Sequence, residues 1–225
     1  MTETLASMSR VRANTFRCAE LRLEAGSLGV VAASSIEQGR AFVDTLMGLA
    51  PPEEGEVRLL GESIYDWPES RRLALLAEVG HAGGGLVSNL KVWENLCLPA
   101  LFHQSATPDE VEQRLSEALN RLPNQDEWMQ KRLFALPDTL SSYAVRMGSL
   151  IRCAVSRPRL LVTEFLLDDL DGEALERLLA MLEWMRVQQP KLAVLLVHRG
   201  AIESGDSTLP RLRPDWMIHL EDPTP

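Results

Sequence analysis

Short apolar runs recur along the chain and alternate with stretches of helical period. The runs are Leu28 to Ala33 (LGVVAA), Glu56 to Leu60 (EVRLL), Leu73 to Val79 (LALLAEV), Leu160 to Thr163 (LLVT) and Leu192 to Val197 (LAVLLV). A last short one spans Trp216 to Leu220. Their nearly continuous apolar character predicts strands covered on both faces. Between them, Thr107-Pro108-Asp109-Glu110 reads as a helix start: Thr as cap, Pro at the first helical position, Glu three residues after the cap. Val111, Leu115, Ala118, Leu119 and Leu122 then fall on one face. A second amphipathic helix is expected from about Gly172 to Gln189, with Leu175, Leu178, Leu179, Leu182 and Met185 as its buried stripe. A third is expected between Ser142 and Arg157, stopping before Pro158 because the residue before proline disfavours helical geometry.

Strands dominate the two ends, whereas the middle is largely helical. The expectation is one domain over 1–225, with an α/β core from about 1–90 and 158–225 and an inserted helical subdomain from about 91–157. The tail after Leu220 (EDPTP) is expected to be loose.

Composition narrows the functional classes. A net charge of -9 argues against broad nucleic-acid binding, which needs a basic face to neutralise phosphates. The most apolar run falls far short of the roughly 20 residues of a spanning helix, and the start has no apolar h-region of a secretory signal. Cys18, Cys97 and Cys153 are odd in number and far apart, so neither a disulfide framework nor a metal knuckle is expected, and a reducing setting is.

The candidate chemistry lies in five places. The first is Ser34 to Arg40 (SSIEQGR), between the first run and an apolar stretch. A phosphate-binding loop there needs glycines for its amides, a Lys for the outer phosphates and a Ser/Thr for Mg²⁺. Only Gly39 is present. Arg40 takes the lysine position if the following helix is one residue short, with Ala41 then replacing the hydroxyl, whereas an ungapped count back from Gly48-Leu49 puts Gly39 there. Read alone, the segment is a plain strand-to-helix loop; read with the rest of the chain, it is a decayed phosphate loop. The second place is Val79 to Asn95 (VGHAGGGLVSNLKVWEN), the third Leu140-Ser141-Ser142-Tyr143-Ala144, the fourth Pro158 to Asp171 (PRLLVTEFLLDDLD) and the fifth Leu195 to Gly200 (LLVHRG).

In order and spacing, these parts resemble the ATP-binding-cassette (ABC) ATPases, from about Leu21 to Leu220. The resemblance implies a P-loop-type α/β fold with a mostly parallel sheet and an inserted helical lobe. It sets Ser34, Ser35, Gln38, Gly39, Arg40 and Ala41 in a vestigial nucleotide loop. It sets His81 on the glutamine that contacts Mg²⁺ and the attacking water, and Leu140 to Ala144 on the signature loop with both glycines lost. In an ungapped frame Glu164 falls on the Mg²⁺-linked Asp, Phe165 on the Glu that polarises water, and Leu170-Asp171 on the D-loop. A frame shifted by one makes Glu164 the catalytic acid and puts Thr163 at the metal. His198 or Arg199 takes the switch-histidine position. Phe16 is the candidate for stacking adenine.

Such cassettes work in pairs beneath membrane permeases, and Gly83 to Phe102 is where they usually meet the membrane subunit. The flank of the second place looks most like importers of lipids of the mammalian-cell-entry (Mce) type. The resemblance therefore implies a protein at the cytoplasmic face of the inner membrane, partnered by a permease and by a second cassette, identical or not. Losing the lysine, the Mg²⁺ hydroxyl, the glutamine, the glycines and the catalytic Glu together implies weak ATP and Mg²⁺ binding and little hydrolysis, because phosphoryl transfer depends on positioning and charge stabilisation. Three roles follow: a non-hydrolysing transporter subunit, a cassette that still hydrolyses ATP, and an interaction module without a transporter.

Overall fold

A computed structural model describes residues 3–80, 85–170, 172–200 and 212–223. Two sheets organise it. Strands β1 (Thr4–Arg12), β2 (Arg17–Glu24), β4 (Glu54–Leu59) and β5 (Glu62–Ser63) form an antiparallel sheet in the order β2-β1-β4-β5. Strands β3 (Leu28–Ala33), β6 (Leu76–Gly80), β7 (Leu160–Glu164), β8 (Ala193–Arg199) and β9 (Trp216–His219) form a parallel sheet in the order β6-β7-β8-β3-β9.

The parallel sheet explains why its strands read as continuous apolar runs. Side chains alternate between faces, and each face meets its own core. Leu28, Val30, Leu161, Val194 and Leu196 join a cluster that continues into the helical lobe. Val31, Ala33, Leu160, Val162, Leu195 and Val197 join a second cluster, shared with the antiparallel sheet and with α1 (Ile36–Leu46). In that second core Phe42 of α1 packs edge-on against Phe16, ring centroids 5.6 Å apart.

The described residues from 91 to 157 hold helices and turns. They are α3 (Val92–Phe102), α4 (Pro108–Leu119), α5 (Gln125–Gln130) and α6 (Ser142–Ser156). Thr107 caps α4 and Glu110 returns the bond, as its spacing predicts. α6 ends on Arg157 in the left-handed region, directly before Pro158. Helix α7 (Gly172–Gln188) buries Leu178, Leu179, Leu182 and Met185 on the sheet.

Four expectations need correction. The first half of LALLAEV is not strand: Pro68 opens a short helix, α2 (Glu69–Leu75), and pairing begins only at Leu76. The run placed at Glu56 to Leu60 belongs to the antiparallel sheet and is covered on one face only, with Val57 and Leu59 inward and Glu56 and Arg58 outward. β1 and β2 were not foreseen, because their alternating, charge-bearing pattern lacks an apolar run. The tail is held as far as Asp222, since Glu221 exchanges backbone bonds with Arg17 and Leu220 donates to the Ala32 carbonyl.

Replacing Phe42 by Ala should remove about 3–5 kcal/mol of unfolding free energy, because the cavity opens in a close-packed core. Urea denaturation checks this, and a loss below about 1 kcal/mol would show that the second core repacks freely.

Candidate functional site

The connection between β3 and α1 is two residues long, Ser34 and Ser35. This corrects the expected loop over Ser34 to Arg40: Gln38, Gly39, Arg40 and Ala41 are all helical. Ser35 caps the helix, its Oγ accepting the Gln38 amide at 3.1 Å, while its carbonyl accepts the Gly39 amide. The Ser34 amide donates to Gln38 Oε1 at 2.7 Å. The Gln38 side chain, 1% exposed, also donates to the Thr15 carbonyl and to Asp222 Oδ1 at 3.0 Å. Ser34 Oγ donates to the same carboxylate at 3.3 Å. The Ser34, Gln38 and Gly39 amides are thus spent internally, and a carboxylate from the C-terminal segment lies against the turn.

Phe165 closes the other side. It follows β7, has φ of +52°, and is 3% exposed in the second core. A Cβ built on Gly39 would collide with its ring. Left-handed backbone at an aromatic residue costs about 1–3 kcal/mol and persists only where packing enforces it. Gly39 therefore serves close packing against Phe165 and does not serve phosphate. Ala41 offers no hydroxyl to a metal. The loop does not fit a nucleotide's phosphates or their Mg²⁺, and among the described residues no group of three His, Cys, Asp or Glu gathers for a metal ion. Phe16 is fully buried against Phe42, which removes it as an adenine platform.

Glu164 ends β7 beside Gly80, largely buried. His198 Nδ1 lies 3.5 Å and Arg199 Nε 3.4 Å from the Asp168 carboxylate. The two candidates for the switch position thus meet on one acid. Arg146 of α6, also buried, donates to the carbonyls of Leu166 and Asp168 and fixes the chain after Phe165. Leu170 packs against the lobe-side core. His81 and Asp171 lie outside the described residues.

The signature-like residues sit apart. Leu140 follows a 3-10 turn, and Ser141 caps α6 by accepting the Ala144 amide. Ser142 starts the helix, half-buried Tyr143 packs on the lobe core, and Ala144 is buried. From Ser141 to Arg152, which reaches the core side, α6 runs about 16 Å.

Sequence reasoning missed a groove of about 750 Å³ between α1, α2, β6, α3 and α6. Leu49, Leu73, Leu98 and Phe102 line it and are all exposed, Phe102 by 73%. Arg40, Glu78, Arg152 and Glu164 also line it. Burial first, then the charges of Glu164 and Asp44, push the Glu78 carboxyl up from its ordinary range, against Arg40 and Arg152. A lone acid inside LALLAEV was the visible signal. Asn95, buried at the start of α3, accepts the Val87 amide and donates to the carbonyls of Val87, Leu90 and Lys91.

No protein-family profile matches the chain. Curated relatives do. The cytochrome c biogenesis ATP-binding export protein CcmA of Cupriavidus necator is 30% identical over 202 residues, 89% of this chain and 83% of the relative. The lipoprotein-releasing system ATP-binding protein LolD of Chromohalobacter salexigens is 24% identical over 200 residues, 86% and 80% respectively. Among solved structures, an ATP-binding subunit of an ABC transporter superposes with a TM-score of 0.79 at 18% identity, over 97% of this chain and 86% of its own. The dimeric bacterial ABC transporter cassette MJ0796 does so at 0.77 and 18%, over 96% and 94%.

Gly39→Ala should cost about 1–3 kcal/mol by overpacking against Phe165. In a Phe165→Ala background the penalty should vanish, since Ala is the better helix former by about 1 kcal/mol. Additive losses in urea melts would show that the two do not touch.

Glu78 supplies a second test. A carboxyl raised in the folded state destabilises above its folded pKa and is neutral in effect below its unfolded one. Glu78→Gln should therefore be more stable than the parent at neutral pH, and the gap should close on acidification through the carboxylate range. A gap that is constant with pH would contradict the burial of this charge.

Proposed function

The chain belongs to the ATP-binding subunits of ABC transporters, and from that premise we propose that it is a non-hydrolysing member with a structural or regulatory part in its transporter. The closed β3–α1 turn carries this reading. A loop that cradles phosphates must present free amides around a hollow. Here the turn is two residues long, Gln38 fills it, and Phe165 packs on Gly39. The residue at the water-polarising position is apolar, and removing a general base alone typically costs about 10²–10⁴ in rate.

The remaining surfaces support a place in a transporter. No helix among the described residues is long and apolar enough to cross a membrane, and the groove with Leu98 and Phe102 lies in the segment Gly83 to Phe102 that the family resemblance assigns to the membrane subunit. In this reading the chain sits at the cytoplasmic face of the inner membrane, with its groove against a permease. A companion cassette with intact chemistry supplies the ATPase. Ser141, still capping α6, is the one signature position with its hydroxyl in place. The two relatives named above serve different cargoes by their names, so the Mce-type, lipid-importing assignment rests on the Leu86 to Asn95 flank alone.

Titration calorimetry with Mg-ATP on the purified chain, together with phosphate-release measurements, tests the proposal. No binding below millimolar concentration and no turnover are expected. Sub-millimolar affinity accompanied by steady hydrolysis would replace this reading with that of a working ATPase.

A further inference from the structure

The groove between the lobe and the core presents an apolar rim around a charged floor. Leu73, Leu98 and Phe102 expose large side chains on that rim, and an exposed apolar patch of this kind marks a contact surface for another chain. Glu78 lies on the floor, in β6, half-buried. Among the described residues its carboxylate makes no hydrogen bond and no ion pair. Its charged surroundings are Glu164 on β7, Asp44 and Arg40 on α1, and Arg152 on α6. Three carboxylates thus face two guanidinium groups. Arg152 already donates to the Gly85 carbonyl at 2.5 Å, and Arg40 stands on the exposed face of α1.

A partner that covers the rim strips the remaining water from Glu78. Burying an unpaired carboxylate is costly, whereas a paired and hydrogen-bonded one is tolerated. We infer that the docking segment carries a lysine or arginine that pairs with Glu78, flanked by apolar side chains that seat on Leu73, Leu98 and Phe102. This rests on the reading of the groove as the membrane subunit's seat, and adds the chemistry by which the groove selects its partner. Glu78 is destabilising in the free chain and becomes an attachment point in the complex.

The test uses the full chain in its own host, with photoreactive p-benzoylphenylalanine in place of Leu98. Membranes are irradiated and the crosslinked peptide is sequenced by mass spectrometry. The expected product is a peptide of a membrane subunit with a basic residue within one helical turn of the crosslink. Glu78→Lys should lower the yield about tenfold, Glu78→Gln less, and reversing the partner's basic residue to Glu should restore yield to the Glu78→Lys chain. A crosslinked membrane subunit whose peptide has no basic residue, or whose yield ignores both Glu78 variants, overturns the inference while leaving the docking reading intact. A crosslink only to soluble proteins or small molecules, or none, overturns both.

Discussion

The hydrogen bonding of one side chain governs the candidate site. Gln38 turns back on its own helix start, takes the Ser34 amide, and ties the turn to Thr15 and Asp222. A helix N-terminus preceded by a glycine loop is an anion site because its amides point outward and are unpaired. Here Ser35 Oγ takes the Gln38 amide, Gln38 Oε1 takes the Ser34 amide, and the Asp222 carboxylate takes the Ser34 hydroxyl and the Gln38 side-chain amide. The positive end of α1 still has an anion beside it, but the anion is part of the chain. The turn is two residues long, Gly39 lies within α1, and its missing Cβ leaves room for the Phe165 ring.

The fold is held by apolar packing and needs no phosphate-handling group. The parallel sheet is held by two cores whose members alternate along each strand; of the altered positions, Ala144 and Leu166 join the first and Phe165 joins the second. Phe165, 3% exposed, adds apolar contact to the second core. Packing of this kind tolerates wide sequence change, and the chain, 18% identical to the cassette MJ0796, superposes on 94% of its length.

What the sequence made legible follows the same division. Strands apolar on both faces announced themselves, as did α4 through its Thr107–Glu110 box and α7 through its stripe. β1 and β2 stayed hidden, since a strand with one solvated face carries charges such as Arg10, Glu20 and Arg22 and shows no run. The candidate loop was misjudged because residue types report a motif's chemistry but not its backbone path. Nothing in SSIEQGR reveals that Gln38 will fold inward, or that Asp222, 184 positions away, will meet it. Phe16 looked available for stacking only while its partner Phe42 was unknown.

Glu164 and Phe165 show how one strand end serves two purposes. Phe165 leaves the strand in the left-handed region, so the two side chains part: Glu164 lines the groove, and Phe165 enters the second core and packs on Gly39. Arg40 reaches the groove from α1, the helix that Gln38 ties down at its start, and Asp44 of the same helix adds its charge to the surroundings of Glu78. Gln38 fills the turn between β3 and α1, so the start of that helix is tied down by the chain itself. Coupling between two sites requires a ligand with different affinity for two states, and under the proposed non-hydrolysing reading the groove is a seat that needs no such ligand.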